Sequence, residues 1–190
     1  MIIYQDTNFQ KVYETQRLQL RILDESDALL VLTFLNQGAD IFDEYESNKP
    51  SDFYTRDTQR RLLRLESDMV MQKRGVRFYV FRKENPHRII GTISVSALRP
   101  HPFDSGMVGY KFHPLYWGNG YATEALEKVT RLVGPILGLR RLEAFVLPEN
   151  TASCKLLDRV GFELEGTAHS ALDVKGERKD HLQYGYVVPY

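Results

Sequence analysis

The chain has 190 residues, with 25 Lys and Arg set against 25 Asp and Glu and a formal net charge of zero. That length suits one domain over residues 1–190, with a core that needs neither disulfides nor a structural metal, and the charge balance gives no field to draw it to nucleic acid or a membrane. The single Cys154 excludes an internal disulfide and a multi-cysteine zinc site. With no leader-like start and no run of about 18 apolar residues, a cytoplasmic protein is expected.

Leu18, Leu20 and Ile22 alternate with Arg17, Gln19 and Arg21, the period of a strand with one buried face. Asp24 to Asp27 reads as a helix start, carried on by Leu29, Leu30 and Leu32 and stopped by Gly38. Residues 39–56 have no apolar period and read as a loop, the kind of segment that often carries function. Thr55 to Arg74 predicts a second helix, with Leu62, Leu65, Met69 and Val70 at helical spacing and Gly75 beyond its end. Val76 to Arg82 and Ile89 to Ala97 predict a hairpin turning around Asn85-Pro86.

A strand from Met107 to Phe112 leads into a glycine turn and a long helix whose apolar face is Leu126, Val129, Val133 and Leu137. Pro135 removes a backbone donor near its end, so a kink or early stop is expected there. Arg141 to Leu147 is the next strand, and strand, helix, strand implies parallel pairing. Asn150 is placed to cap a helix from Thr151 to Val160 with Gly161 at its exit. Phe162 to Thr167 and Lys179 to Val188 form a last antiparallel pair around Lys175-Gly176. A doubly wound sheet would alternate throughout; this order does not, and it predicts a mixed α/β fold of the α+β kind.

The glycine turn, Trp117-Gly118-Asn119-Gly120-Tyr121-Ala122-Thr123-Glu124-Ala125, carries the chemistry. Glycines let backbone N–H groups turn toward an anion, and the helix that follows adds its own unpaired N–H groups and the positive end of its dipole. A phosphate or diphosphate is the expected guest. A P-loop would need Lys followed by Ser or Thr after its last glycine, where Tyr121-Ala122 stands. A dinucleotide-binding turn is closer, with Glu143 about 20 residues on at a second strand as that fingerprint asks, but its third glycine is Thr123 here, so a dinucleotide-binding protein stays as the lesser alternative.

The run Phe112-His113-Pro114-Leu115-Tyr116-Trp117-Gly118-Asn119-Gly120-Tyr121-Ala122-Thr123-Glu124-Ala125 resembles the acetyl-coenzyme A loop of the GNAT N-acetyltransferases, in the RimJ/RimL-like branch. Most of that superfamily has Gln or Arg at the position of Trp117, and the Trp variant is typical of the branch it resembles. Pro148-Glu149-Asn150-Thr151-Ala152-Ser153 and Val160-Gly161-Phe162 resemble its next helix start and exit, and the likeness runs from Thr15-Gln16-Arg17-Leu18 onward. The resemblance implies a GNAT-like acyl-coenzyme A N-acyltransferase fold, a single three-layer domain, monomeric or homodimeric. It also implies acetyl-coenzyme A as cosubstrate, no metal, and direct acetyl transfer to a primary amine, either a protein amino terminus or a small amine. Phe112, Trp117, Gly118, Asn119, Gly120, Tyr121, Ala122, Thr123, Asn150 and Ser153 are the coenzyme-binding candidates, with the pantetheine arm along the strand that ends at Phe112.

Transfer from a thioester needs a held donor, a neutral amine, oxyanion stabilisation and a proton for the thiolate. The superfamily's acid, a Tyr seven residues after the helix-starting Asn, is replaced here by Leu157. Ser153 is the candidate acid, with plain support of the helix's first turn as the alternative. Glu143 is the candidate base, against a salt-bridged strand residue. Asp43, Glu44 and Glu46 are placed to attract a cationic amine, and Asp180 and His181 form a further polar pair. The loss of the Tyr keeps open a non-catalytic, coenzyme A-binding regulator. The five His are scattered without a metal-binding spacing.

Overall fold

The computed structural model describes residues 11–189. Its eight strands are β1 (Val12–Glu14), β2 (Leu18–Arg21), β3 (Val76–Arg82), β4 (Asn85–Arg99), β5 (Ser105–Phe112), β6 (Arg141–Val146), β7 (Glu163–Val174) and β8 (Glu177–Val187). The four α-helices are α1 (Ala28–Phe42), α2 (Arg56–Met71), α3 (Tyr121–Leu137) and α4 (Thr151–Val160). The strands form one sheet in the order β1-β2-β3-β4-β5-β6-β8-β7, antiparallel except for β5 with β6. This is the expected mixed α/β architecture.

Side-chain alternation along the strands splits the core between two faces. Phe78 and Val80 of β3 join a cluster with Leu126, Val129 and Val133 of α3 and Leu157 of α4. Tyr79 and Phe81 point the other way, into a cluster with Val31, Phe34 and Leu35 of α1 and Leu63 of α2. The sheet is thus the middle of three layers.

Several boundaries differ from the expectations. Helix α1 continues past Gly38 to Phe42, because Gly38 is a packing site: a Cβ there would overlap the Phe42 ring one turn on. Helix α3 does not stop at Pro135 but reaches Leu137, closed by Gly138 at a φ of 70°. The proline takes out one bond of the ladder without ending the helix, which runs on for two residues to its glycine stop. Thr55 is the N-cap of α2, its hydroxyl accepting from Thr58 N–H at 3.3 Å. The turn after β3 is Lys83-Glu84, so Asn85 and Pro86 already belong to β4. Strands β5 and β7 are longer than the spacing suggested, and β1 carries too few residues to show a period.

The join between β5 and β6 positions the site. Only three pairs form, Ser105 with Arg141, Gly106 with Leu142 and Met107 with Glu143. Beyond them β5 stays with β4 to the pair Gly91–Phe112, while β6 stays with β8 to Val146–Leu182. The sheet is therefore two wings meeting at a short seam and parting toward the C-terminal ends of both strands. Phe112, at the tip of one wing, is seated over Gly91, where any Cβ would overlap its ring. Gly91→Ala should therefore cost about 1–3 kcal/mol by overpacking. Chemical denaturation of the variant beside the parent chain checks that cost.

Candidate active site

The turn after β5 is shaped by its two glycines, Gly118 at φ 74° and Gly120 at φ 76°, both in the left-handed region that other residues enter at a cost. A Cβ on Gly118 would meet nothing within 4 Å. Conformation, rather than crowding, demands glycine there. Gly120 is the N-cap of α3 and has no side chain to satisfy the first turn, so the N–H groups of Tyr121, Ala122 and Thr123 point out of the helix end. The N–H of Glu124 bonds to Gly120 O at 3.1 Å.

The turn is held by residues that the sequence did not single out for the site. Glu124 receives the Arg17 backbone N–H at 2.8 Å, the Arg17 Nε at 2.6 Å and the Thr15 hydroxyl at 2.6 Å. Arg17 also donates to Asn119 O at 3.0 Å and lies over the Tyr121 ring at 4.6 Å. Burial pushes the Glu124 carboxyl up, but the Thr15 hydroxyl and the Arg17 N–H groups outweigh it and hold the group below its usual value. The Arg159 guanidinium, from the last turn of α4, stands 3.5 Å from the Thr123 hydroxyl. The only sequence signal for these ties was the presence of Thr15-Gln16-Arg17 and Glu124 inside the family-like strings.

Strand β5 brings this turn to the fork. His113 N–H bonds to Ile90 O at 2.9 Å, which fixes the alternation: the backbone groups of Lys111 and His113 face β4, and those of Tyr110 and Phe112 face the β6 side. Trp117 Nε1 donates to Phe112 O at 2.7 Å, so the indole spans from the glycine turn to the tip of β5. Phe112 N–H and both backbone groups of Tyr110 are thereby directed into the fork. A chain of amides entering there meets strand-like partners.

On the α3/α4 side of the fork, Asn150 caps α4, its Oδ1 accepting Ser153 N–H at 3.1 Å. The Ser153 hydroxyl is 2.7 Å from the Tyr110 hydroxyl. Tyr110 thus places a phenol beside Ser153 from another element, whereas Leu157 is fully buried in the core. Cys154 packs against the same core. At the base of the fork Glu143 is bonded to Arg99 and, at 3.1 Å, to Arg141 Nε, while Arg141 also pairs with Glu165.

The α1/α2 side is bridged by the loop after α1. Glu46 pairs with Lys111 of β5 and with Lys49. Lys175 N–H donates to Glu46 O at 3.2 Å and the Ser47 hydroxyl to Asp173 O at 2.9 Å, tying the loop to the β7–β8 turn. Burial opposes both charges of the Glu46–Lys111 pair. Two ammonium groups nevertheless keep the Glu46 carboxyl below its usual range, whereas for Lys111 burial outweighs its single carboxylate and depresses the ammonium. Asp43 accepts the Tyr54 hydroxyl at 2.8 Å. Asp180 accepts from Ser170 N–H and lies 2.8 Å from His169 Nδ1, and His181 Nδ1 is 3.0 Å from Lys179 O.

Residues 17–163 match the model of the acetyltransferase (GNAT) domain. The chain belongs to the GNAT acetyltransferase family. Among curated relatives, the [ribosomal protein uS5]-alanine N-acetyltransferase of Escherichia coli is 28% identical over 178 residues, 92% of this chain and 90% of that protein. Among solved structures, ribosomal-protein-S5-alanine acetyltransferase from Vibrio fischeri superposes with a TM-score of 0.87 at 26% identity, covering 94% of this chain and 97% of that one. RimJ of Mycobacterium smegmatis, in complex with CoA-disulfide, superposes with a TM-score of 0.84 at 22% identity, covering 93% and 86%. This GNAT protein is accordingly an N-acetyltransferase with the RimJ/RimL kind of fold. Among the described residues no helix is long and apolar enough to cross a membrane.

The ties at Glu124 make the turn sensitive to acid. Its folded-state pKa lies below the usual value of 4.5, so the stabilisation is complete above that pH and is lost as pH falls through the folded value. Glu124→Gln should cost about 1–2 kcal/mol, removing a charged acceptor of which one partner is half exposed. The variant should also show a shallower loss of stability below pH ~4.5; denaturation across pH checks both effects.

Proposed function

We propose that this N-acetyltransferase uses acetyl-coenzyme A and passes the acetyl group directly to a primary amine, a protein amino terminus or a small amine. The observation that carries the reading is the continuity of the glycine turn with the fork through β5: one strand presents an anion-binding helix end and a strand edge for amides. The residues fit the coenzyme. Amides from Asn119 to Thr123 would hold its diphosphate, with Gly118 leaving that side open and Arg159 adding charge nearby. The backbone of Tyr110 and Phe112 would pair with the amides of the pantetheine arm.

Acetyl-coenzyme A supplies an activated thioester carbonyl and a thiol leaving group. Ser153, at the start of α4, would donate a hydrogen bond to the sulfur as the carbon–sulfur bond breaks. Glu143 already accepts from two guanidiniums, and to take a proton it would have to give up those bonds. Our reading therefore keeps Glu143 as the pin at the base of the fork. An α-amino group has a pKa of about 7.7–8.0, so much of it is neutral near that pH without a strong base. Support for such an acceptor comes from the uS5-alanine enzymes among the relatives and from the bridged α1/α2 side, where Glu46 and its neighbours favour a slim chain end over a broad surface.

Purified protein with acetyl-coenzyme A should release free thiol with amino-terminal peptides or small amines in a mass-spectrometric panel, and coenzyme A rather than NAD should raise its melting temperature. Ser153→Ala should lower kcat by roughly 10- to 100-fold with little change in coenzyme binding. Tight coenzyme binding with no turnover across the panel would instead support the regulatory alternative. Stabilisation by NAD alone would overturn the reading.

A further inference from the structure

The Ser153 hydroxyl is engaged across the fork rather than by its own helix. Its partner is the Tyr110 hydroxyl, at 2.7 Å, and the same phenol is 3.4 Å from the Ser153 carbonyl oxygen. Tyr110 sits on β5 between the seam and Phe112, its ring packed against the α3/α4 core and its backbone facing the fork. Strand β5 and helix α4 come from different wings of the sheet. This bond is therefore a direct side-chain link between them at the place where the thioester sulfur would lie.

We propose that Tyr110 is a positioning residue for acetyl transfer, donating its phenolic proton to Ser153 Oγ so that the serine hydroxyl hydrogen is directed at the departing sulfur. The inference rests on the role given to Ser153 above. A hydroxyl that accepts a hydrogen bond along one lone pair has its hydrogen confined to the two remaining positions about the oxygen, both turned from the phenol, and a donor on its oxygen strengthens the bond its hydrogen makes. The alternative orientation, serine donating to tyrosine, would leave the phenol hydrogen for the Ser153 carbonyl over the longer 3.4 Å path and occupy the serine hydrogen with Tyr110 instead of the sulfur.

Tyr110 holds its proton throughout. Burial pushes its phenol above the usual value. A thiol with a pKa of about 8.5 leaves as a weaker base than a phenolate with a pKa of about 10, so transfer from Tyr110 to sulfur would run uphill. The balance closes without it. As the nitrogen–carbon bond forms and the carbon–sulfur bond breaks, the electron pair goes to sulfur, and the proton lost by the amine nitrogen neutralises the charge. Tyr110 and Ser153 contribute hydrogen bonds and keep their own hydrogens.

The test is a double-mutant cycle on the full chain with Tyr110→Phe, Ser153→Ala and both together, reading kcat, the coenzyme A dissociation constant, and the Cζ resonance of 13C-tyrosine-labelled protein. Tyr110→Phe keeps the ring and should leave the coenzyme dissociation constant within about twofold while lowering kcat roughly three- to tenfold, the weight of one neutral hydrogen bond. In the Ser153→Ala background the same change should cost less than about twofold, because the partner has gone. The Tyr110 Cζ signal should move on Ser153→Ala without coenzyme present. A low kcat for Ser153→Ala beside an unchanged kcat for Tyr110→Phe, or additive losses, would overturn the Tyr110 role alone. An unchanged kcat for Ser153→Ala would overturn the Ser153 role and the Tyr110 role with it. A static Cζ signal would show that the bond is not made in solution, with the same consequence for Tyr110.

Discussion

The short seam between β5 and β6 is the constraint on which the site depends. Three residues pair in parallel and then the strands part, each kept straight by a different antiparallel neighbour. Small residues let the seam close: Ser105 is buried, and a Cβ on Gly106 would come within 2.7 Å of Leu98. Glu143, Arg99 and Arg141 then lock its last pair with charge. A longer pairing would satisfy the backbone of Tyr110 and Phe112 within the sheet, leaving no edge for an extended ligand. A shorter one would let the wings separate.

The glycine turn is useful only because it is fixed relative to that fork. Positive φ at Gly118 and Gly120 turns the chain from strand to helix within four residues of Trp117, and the indole bond to Phe112 fastens the turn to the strand tip. Glu124 then fastens the helix end to the loop between β1 and β2 through Thr15 and Arg17. Preorganised donors lose little freedom when an anion arrives, which is how a set of weak N–H contacts becomes a binding site. The opposite side is braced in the same manner, with Glu46 spanning from Lys111 to the β7–β8 turn.

What was legible in the sequence was local. The glycine turn, the Asn150 cap, the parallel strand–helix–strand unit and the final hairpin each follow from residues within one or two elements, and each is seen in the fold. What was not legible joins residues far apart. Arg17 meets Glu124 across 107 positions and Tyr110 meets Ser153 across 43, and neither spacing has a period that a single sequence displays. Gly38 misled for a physical reason, since a glycine that accommodates a ring inside a helix is written with the same letter as one that ends it. Glu143 was legible as a polar group on the right strand, but not as the partner of two arginines, one of which comes from the end of β4.

The central claim, that the edge of β5 and the end of α3 act together as the coenzyme site, is tested most directly by amide hydrogen exchange with and without acetyl-coenzyme A. The account predicts slowed exchange at two separate places in the chain, the amides of Tyr110 and Phe112 and those of Asn119 to Thr123, with the helices α1 and α2 little changed. Protection confined to other elements, or at the helix end without the strand edge, would contradict it.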